Sequence, residues 1–380
     1  MREDTYAARK RFDLPFKFHL SVEITSNLLV AATMSSAVKN VQTTIQEDFG
    51  SFGHNAASPE NQFSLDNVPD QTGKVAVVTG GSEGIGYGCT RSLLAKNISK
   101  LFILSLSKDV VDGARDAIKQ DLGEDIAKRT HWIQCDLSDW MQAAKVAKEI
   151  SSSTDRLDIL INNAARGIMT AQLTGYGVDR HMALNHMGPV IITSHLLPLL
   201  KKTASENNKV RIVNLASNAH EQVPKDLSFK SLEAINQDLG PMATYGRSKL
   251  AALLYARYLN RHLTKTHPNI LANATHPGFV DTKMTDQHIH EPCPLGGYAM
   301  SAGLKPFMKT QWEGCVSTVW AATCADKSGE YICPPVTPEP GSEMSRDEQM
   351  AEDLMKLTRD VVTEKTKSDS VEKGCPMKDY

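Results

Sequence analysis

Tyr245 and Lys249 form a Tyr-x-x-x-Lys pair, which is the first motif of this chain that could do chemistry. On a helix this spacing places the ammonium group one turn from the phenol. Free tyrosine has a pKa of about 10, and a neighbouring positive charge favours the phenolate and lowers that pKa. The pair could therefore move a proton at an alcohol or carbonyl oxygen. A surface helix can carry the same spacing by chance, so its meaning depends on the other motifs.

A glycine-rich turn at residues 80–86 is the second motif, and it follows the apolar run 75–78. A buried strand that enters a tight turn and then a helix directs backbone N–H groups and the positive end of the helix dipole at one point, which suits a pyrophosphate. The spacing is G-x-x-x-G-x-G, so the dinucleotide fingerprint applies by mechanism and not by letter. An ordinary glycine-rich loop is the plain alternative. We predict a dinucleotide site at Gly80, Ser82, Glu83, Gly84, Ile85 and Gly86.

Four further motifs occur in a fixed order along the chain. They are Asn162-Asn163-Ala164-Ala165 after a strand, Asn185-His186-Met187-Gly188 at a helix start, Ala216-Ser217 after another strand, and the turn Pro277-Gly278-Phe279-Val280-Asp281-Thr282. With the glycine turn and the Tyr-x-x-x-Lys pair, this order resembles the short-chain dehydrogenase/reductase family from residue 73 to about residue 362. The long 217–245 interval and the string Tyr-Gly-Arg-Ser-Lys-Leu-Ala are most similar to its retinol-dehydrogenase-like and WW-domain-oxidoreductase-like branch.

The resemblance implies a role for each matching residue. Ser217 would hydrogen-bond the substrate oxygen, and Tyr245 would be the general acid or base. Lys249 would hold the ribose hydroxyls and lower the pKa of the tyrosine, while Asn185 would anchor a proton-relay water. The implied cofactor-binding residues beyond the glycine turn are Ser107, Lys108, Asp136, Leu137, Asn163, Tyr245, Lys249, Pro277, Gly278, Val280 and Thr282. Taken singly, Asp136 and Ser217 could cap turns, and Asn185 could be a structural amide.

The end of the second predicted strand decides the expected cofactor. An acid at this position would bind the ribose 2′-hydroxyl and repel a 2′-phosphate. This chain has Ser107 and Lys108 there, and both can accept a phosphate. Asp109 follows directly and weakens this argument for a 2′-phosphate. Glu83 also argues weakly against NADP(H), because some NADP enzymes have a basic residue at its position in the turn. We predict NADP(H), with NAD(H) as the open alternative.

Apolar strands alternate with amphipathic stretches from residue 73 onward. Strands are predicted at 74–79, 101–106, 130–135, 157–162, 210–216 and 270–275, with 330–333 as a seventh. This alternation requires a mainly parallel sheet covered on both faces. Right-handed crossovers then give one doubly wound Rossmann-type α/β domain with its cofactor at the carboxyl ends of the strands. Helices are predicted at 87–96, 248–262 and 347–364, and a substrate lid at 286–310.

Three segments are predicted. A partly irregular N-terminal extension covers residues 1–72, the Rossmann-type domain 73–365, and a mobile tail 366–380. The apolar run 28–32 is too short to span a bilayer. Acidic residues dilute the basic residues at the start, so a mitochondrial presequence is the lesser alternative to a cytoplasmic location. Met34 could also be the natural start, which would leave the first residues outside the protein.

Composition indicates a soluble protein of the reducing compartments. The chain has 380 residues, 41% hydrophobic content and a net charge of −2. It can bury one large core, and nothing in its charge favours nucleic acid or an anionic membrane. Its seven cysteines are scattered without a C-x-x-C pair, so neither a disulfide scaffold nor a structural metal site is expected.

Two classes of function remain open from the sequence. The first is an NADP(H)-dependent oxidoreductase that interconverts an alcohol and a ketone or aldehyde on a lipophilic small molecule. The second is a non-catalytic dinucleotide-binding scaffold or regulator. An apolar substrate pocket, or ordinary packing under a loop, is predicted from Met284, Tyr298, Met300, Leu304, Phe307 and Met308. The resemblance allows a homodimer or a homotetramer.

Overall fold

One eight-stranded sheet organises the protein. The computed structural model describes residues 58, 62–205, 207–281 and 308–366. Within these ranges the strands are β1 (Val75–Thr79), β2 (Lys100–Ser105), β3 (Thr130–Gln134), β4 (Ile159–Asn162), β5 (Val210–Leu215), β6 (Ile270–Thr275), β7 (Tyr331–Cys333) and β8 (Thr337–Glu339). Their order is β3-β2-β1-β4-β5-β6-β7-β8. The seven predicted strands are confirmed with bounds that move by at most two residues.

The prediction of about seven strands missed β8. This strand pairs antiparallel with β7, with Tyr331 opposite Glu339 and Cys333 opposite Thr337, whereas β1 to β7 pair in parallel. Pro338 lies in the middle of β8, and a proline normally argues against a strand. It is tolerated here because β8 is the edge of the sheet and one of its sides needs no ladder donor.

Seven helices of eight residues or more cover the sheet in the described part of the chain. They are α1 (Gly84–Ala95), α2 (Lys108–Leu122), α3 (Trp140–Ser153), α4 (Gly188–Thr203), α5 (Pro241–Leu259), α6 (Val316–Thr323) and α7 (Glu348–Thr366). Shorter helical turns occupy Glu124–Ala127, Arg180–Met182, Ala183–Met187, Leu232–Asn236, Asn260–Thr264 and Gln311–Gly314. Single 3₁₀ turns lie at Leu65–Asn67, Asn218–Glu221 and Met344–Arg346.

Two apolar layers enclose the sheet, one on each face. Val75 and Val77 point to the layer that contains residues of α3, α4, α5 and α7. Ala76 and Val78 point to the opposite layer, which contains residues of α1, α2 and α6. Alternation of buried side chains along one strand is what a sheet covered on both faces requires. The doubly wound architecture is therefore confirmed.

Helix α5 begins earlier than its predicted start at residue 248. Gly240 has φ +79 and Pro241 occupies the first turn. An N–H group at this position would have no partner within the helix, so proline loses no hydrogen bond there, and its fixed φ suits a helix. Tyr245 and Lys249 therefore both lie inside one continuous helix, as the Tyr-x-x-x-Lys spacing predicted. The final helix matches its predicted range to within two residues.

Residues 62–72 pack on the domain although the sequence assigned them to an extension. Phe63 and Val68 are buried in the same layer as α1, and the Lys96 ammonium donates to the Asp66 carbonyl at 2.7 Å. The rest of the predicted extension up to residue 57, the tail 367–380 and most of the predicted lid lie outside the described residues.

Candidate active site

The glycine turn joins β1 to α1 at the carboxyl edge of the sheet. Gly80 has φ +63 and Gly84 has φ +54, conformations that other residues rarely adopt. A Cβ on Gly86 would lie 2.0 Å from the Gly80 carbonyl oxygen, so α1 can approach the turn this closely only with glycine at that position. The side chain of Glu83, the N-cap residue of α1, makes no capping hydrogen bond. The first N–H groups of α1 are thus directed at the space above the turn.

Asn163 holds the turn against the end of β4. Its Nδ2 donates to the carbonyl oxygens of Thr79 at 2.9 Å and of Gly80 at 3.2 Å. In return, the Thr79 hydroxyl accepts from the backbone N–H groups of Asn163 and Ala164 at 2.9 Å each. These bonds lock the ends of β1 and β4 together. The gap between these strands is where the strand order reverses, the usual ligand site of an open α/β sheet.

Ser217, Tyr245 and Lys249 converge beside this gap. Tyr245 is 8% exposed and Lys249 4%, and the side chains of Tyr245 and Ser217 hydrogen-bond to each other. The Lys249 ammonium lies 5.5 Å from the centroid of the Tyr245 ring and donates to the Leu215 carbonyl at 2.8 Å. Strand β5 thus delivers the serine, and α5 delivers the tyrosine and the lysine.

Burial changes the acidity of this group. It raises the pKa of Tyr245, and the hydrogen bond from Ser217 offsets only part of that rise. Burial also lowers the pKa of Lys249 to about 8. The predicted lowering of the tyrosine pKa by Lys249 is therefore not what the protein alone produces. Loss of water around the phenolate disfavours its charged form in this buried site.

Asn185 faces Lys249 across a small internal cavity. Its Oδ1 accepts from the Arg166 N–H at 2.6 Å, and its Nδ2 donates to the Arg166 carbonyl at 2.9 Å and to the Ser248 hydroxyl at 2.8 Å. The cavity has a volume of about 10 Å³, about enough for one water molecule. Its lining includes Asn162, Asn185, His186, Asn214 and Lys249. A relay water as predicted for Asn185 would fit here.

A much larger cavity opens above the glycine turn. Its volume is about 1060 Å³, in the range of sites that hold a whole cofactor. Twelve predicted residues line it: Gly80, Ser82, Glu83, Gly84, Ile85, Ser107, Asp136, Leu137, Asn163, Tyr245, Lys249 and Pro277. The structure therefore brings the glycine turn and the Tyr-x-x-x-Lys pair to one cavity.

Other predicted residues do not line the cavity. Lys108 is turned away and forms an ion pair with Asp112. Gly86 lies beneath the turn. Val280 packs against Gly314, so closely that a Cβ added to Gly314 would lie 2.5 Å from the Val280 side chain. Ser217 is hydrogen-bonded to Tyr245, and Gly278 follows Pro277 with φ +80. Thr282 lies outside the described residues.

Asp136 has a structural task as well. Its Oδ1 accepts from the Ser138 N–H at 2.8 Å and from the Ser138 hydroxyl at 2.7 Å. The turn-capping alternative is therefore correct for this carboxylate, although the residue also lines the cavity.

Sequence reasoning missed one wall of the cavity. The N-terminal half of α2 supplies Asp109, Val110, Gly113, Ala114 and Ala117, and other missed residues are Tyr87, Leu106, Leu184, Asp281 and Gln311. Residues 110, 113, 114 and 117 recur at helical spacing, so they share one face of α2. That periodicity was the signal available, but it is also the pattern of an ordinary core-facing helix.

The described residues also bear on the predictions about metal sites, cysteines, membrane spans and the apolar pocket. No group of three His, Cys, Asp or Glu side chains could hold a metal ion within residues 62–205, 207–281 and 308–366. The cysteines of these ranges are free thiols. No helix there is long and apolar enough to cross a bilayer. Of the predicted apolar pocket only Met308 is described, and it is buried.

This chain is similar to one family profile and to several named proteins. The family profile described as short chain dehydrogenase matches residues 74–229. A Neurospora crassa protein named as a mitochondrial oxidoreductase, bli-4, is 53% identical over 92% of this chain and 85% of its own length. A short-chain dehydrogenase/reductase of Armillaria gallica is 34% identical over 76% of this chain and 92% of its own length. Human polyprenol dehydrogenase is 27% identical, over 69% and 76%.

A solved structure agrees with these relatives. The Pseudomonas aeruginosa RhlG/NADP active-site complex superposes with a TM-score of 0.54 at 28% identity, over 69% of this chain and 95% of that chain. The identity and coverage of the Armillaria relative are sufficient to show the family. This chain belongs to the short-chain dehydrogenase/reductase family and is an oxidoreductase of that family.

Proposed function

We propose that this chain is an NADP(H)-dependent oxidoreductase that interconverts an alcohol and a ketone or aldehyde on a lipophilic small molecule. The observation that carries the proposal is the shared cavity of about 1060 Å³, which Gly80, Gly84, Tyr245 and Lys249 all line. A phosphate-binding turn and a proton-transfer pair that line one cavity are what hydride transfer from a dinucleotide requires.

The residues present fit a dinucleotide. The N-terminus of α1 has no side-chain cap at Glu83, so its N–H groups and its dipole suit a pyrophosphate. The close approach of α1 at Gly86 holds those groups at the cavity floor. Lys249 lines the same cavity. One of its three donors binds the Leu215 carbonyl, which leaves donors for ribose hydroxyls. When bound, the nicotinamide exchanges a hydride with the carbon of the substrate C–O group.

The protein's own residues act at the substrate oxygen. In reduction, the Tyr245 hydroxyl donates its proton to the oxygen of the former carbonyl, and in oxidation the phenolate removes the proton of the alcohol. The Ser217 hydroxyl, which bonds to Tyr245 in the free protein, turns its single proton to that same substrate oxygen and stabilises its developing charge. Lys249 places a positive charge beside the phenolate. Its pKa of about 8 keeps it mostly charged at neutral pH.

NADP(H) is the proposed cofactor because no carboxylate ends β2. Ser107 lines the cavity at this position, and the P. aeruginosa structure is an NADP complex. Lys108 is 65% exposed beside Asp112, and an exposed pair of this kind is weak. The lysine can therefore turn to a 2′-phosphate. Asp109 also lines the cavity and is the feature that favours NAD(H).

A lipophilic substrate is supported by a relative. Polyprenol, the substrate in the name of the human relative, is a long apolar alcohol. In this chain, Ala165, Leu184 and Ala216 are among the apolar residues that line the same cavity as Tyr245. The bli-4 relative favours mitochondrial import, to which the sequence gave less weight than to the cytoplasm. Fractionation of cells that express the full chain decides between the two compartments.

The test is a panel of ketones, aldehydes and alcohols of increasing apolar length, each with NADPH, NADH, NADP⁺ and NAD⁺. We expect the turnover rate to rise with the apolar length of the substrate and to be higher with NADPH and NADP⁺ than with NADH and NAD⁺. Tyr245→Phe should abolish it, while Tyr176→Phe, a change at a partly exposed tyrosine stacked on Trp140, should not. Dinucleotide binding without turnover of any compound would favour the scaffold alternative and refute the enzymatic proposal.

A further inference from the structure

His220 is tied to the proposed catalytic serine by two hydrogen bonds. The ring lies three residues after Ser217 in the Asn218–Glu221 turn and is 0% exposed. Its Nδ1 lies 2.7 Å from the Ser217 carbonyl oxygen, and its backbone N–H donates to the same oxygen at 3.1 Å. One residue thus holds the Ser217 carbonyl from two directions.

The second ring nitrogen fixes the tautomer. The Ser342 backbone N–H donates to His220 Nε2 at 3.1 Å, so Nε2 must be the unprotonated nitrogen. In a neutral ring the proton then sits on Nδ1, which donates it to the Ser217 carbonyl. Both nitrogens of His220 are therefore used by backbone groups, one from each of two distant segments.

The segment that contains Ser342 is itself fastened to α5. Arg257 donates from Nη2 to the Pro340 carbonyl at 2.7 Å and from Nη1 to the Ser345 hydroxyl at 2.9 Å. Arg257 and Tyr245 belong to the same helix. A closed path of hydrogen bonds therefore runs from Ser217 through His220 and residues 340–345 to the helix that carries Tyr245.

We propose that His220 is a positioning residue that sets the Ser217 hydroxyl against Tyr245 by donating its Nδ1–H to the Ser217 carbonyl, while the Ser342 N–H at Nε2 only orients the ring. This inference rests on the proposed function, because it assigns His220 a part in the Ser217–Tyr245 chemistry. Nothing in the ring touches the cavity, so His220 acts through Ser217 alone.

The surroundings of the ring keep it neutral. Tyr331 meets it edge-on with centroids 5.3 Å apart. The Glu221 carboxylate, 4.0 Å from Nε2, acts in the opposite sense, because a negative charge favours the protonated ring. Burial lowers the pKa of His220 to about 4, with His276 and Arg257 adding to the fall. Nε2 thus keeps the lone pair that accepts from the Ser342 N–H throughout the neutral range, and Nδ1 keeps its proton for the Ser217 carbonyl.

A pair of variants separates the two ring nitrogens. In His220→Asn the amide nitrogen falls near the position of Nδ1 and can still donate to Ser217. In His220→Gln the amide oxygen reaches the position of Nε2 and can still accept from Ser342, but the donor to Ser217 is lost. Both are made in the full chain and assayed with NADPH and a carbonyl compound that the unmodified protein reduces.

The expected result is a split between the two variants. His220→Gln should lose about ten- to hundredfold in kcat, the cost expected when a catalytic group is misplaced by about 1 Å. KM and NADPH affinity should change little. His220→Asn should restore most of kcat. Equal kcat losses in the two variants, a loss confined to KM or cofactor affinity, or full activity in His220→Phe would each overturn the proposal.

A readout without turnover keeps this test separate from the proposed function. Crystal structures of the two variants should show the Ser217 Oγ displaced from Tyr245 in His220→Gln and in place in His220→Asn. Failure of the unmodified protein to reduce any compound would refute the enzymatic proposal alone. An undisplaced Ser217 in both variants would refute the role of His220 alone.

Discussion

Gly246 packs directly on Ala219. A Cβ at Gly246 would lie 2.4 Å from the Ala219 carbonyl oxygen and 3.3 Å from its carbon. Gly246 follows Tyr245 on α5, and Ala219 lies in the turn that follows Ser217. Their contact therefore sets the distance between the serine and the tyrosine. Any side chain at position 246 must push the turn away from the helix, because the obstacle is backbone.

Gly246→Ala should therefore damage both activity and stability. We expect kcat to fall about tenfold or more and the free energy of unfolding to fall by about 1–3 kcal/mol from overpacking. Gly113→Ala is a control for stability only, because Gly113 lines the cavity. It lies in α2 with nothing within 4 Å of an added Cβ, so it should raise stability by about 0.5–1 kcal/mol. Wild-type kcat in Gly246→Ala would show that the contact does not position the serine.

Tyr245→Phe and Lys249→Met should have different kinetic signatures. Loss of the phenol removes general acid–base catalysis, which supplies about 10²–10⁴-fold in rate, and should leave NADPH affinity nearly unchanged. Loss of the ammonium should weaken NADPH binding as well, because Lys249 lines the cavity beside Tyr245. Stopped-flow turnover and fluorescence titration of NADPH measure the two effects. Substantial activity in Tyr245→Phe would disprove its assignment.

Cofactor choice can be tested through the ion pair of Lys108 and Asp112. Asp112→Asn releases Lys108 and should tighten NADPH binding by a few-fold while NADH binding stays the same. Lys108→Glu should weaken NADPH by about tenfold, since about 1.4 kcal/mol corresponds to a factor of ten, and make NADH the tighter ligand. Calorimetric titration of both cofactors gives the four affinities. Tighter NADH than NADPH binding in the unmodified protein contradicts the NADP(H) proposal.

Two shortened chains can locate the start of the folded domain. A chain that begins at residue 62 keeps Phe63, which is 9% exposed in the layer with α1, and should melt at the temperature of the full protein. A chain that begins at Asp66 loses that side chain and should be less stable by about 2–3 kcal/mol, yet still fold and bind NADPH. Insolubility of both would show that residues 1–61 belong to the core.

Stability should fall in mild acid because two histidines are buried as neutral rings. Burial lowers the pKa of His186 to about 3 and of His220 to about 4, against about 6.5 in the unfolded chain. Their contribution is complete above pH 6.5 or so and is lost as pH falls towards 3, because the unfolded chain takes up protons that the folded ring refuses.

Urea unfolding at pH 7, 6, 5 and 4 measures this loss. The midpoint should move down steadily, and His186→Asn should flatten part of the slope. An identical slope in that variant would show that His186 is charged or exposed in the folded protein.

Much of the fold could be predicted from local pattern. Short apolar strands such as 75–79 and 270–275, with helical stretches between them, admit only a parallel sheet covered on both faces. The glycine turn and the Tyr-x-x-x-Lys pair could be predicted from the sequence for a similar reason. Each is a run of a few residues whose function depends on backbone geometry that those residues themselves impose.

Other features depend on contacts between distant segments, and only the tertiary structure decided them. Pro338 lies in a strand because β8 is at the sheet edge, and His220 meets Ser342 because β8 returns the chain to α5. The direction of the Tyr245 pKa shift also belongs here. Sequence shows the lysine one turn away, but the opposing loss of hydration depends on how completely the surrounding elements close over the phenol.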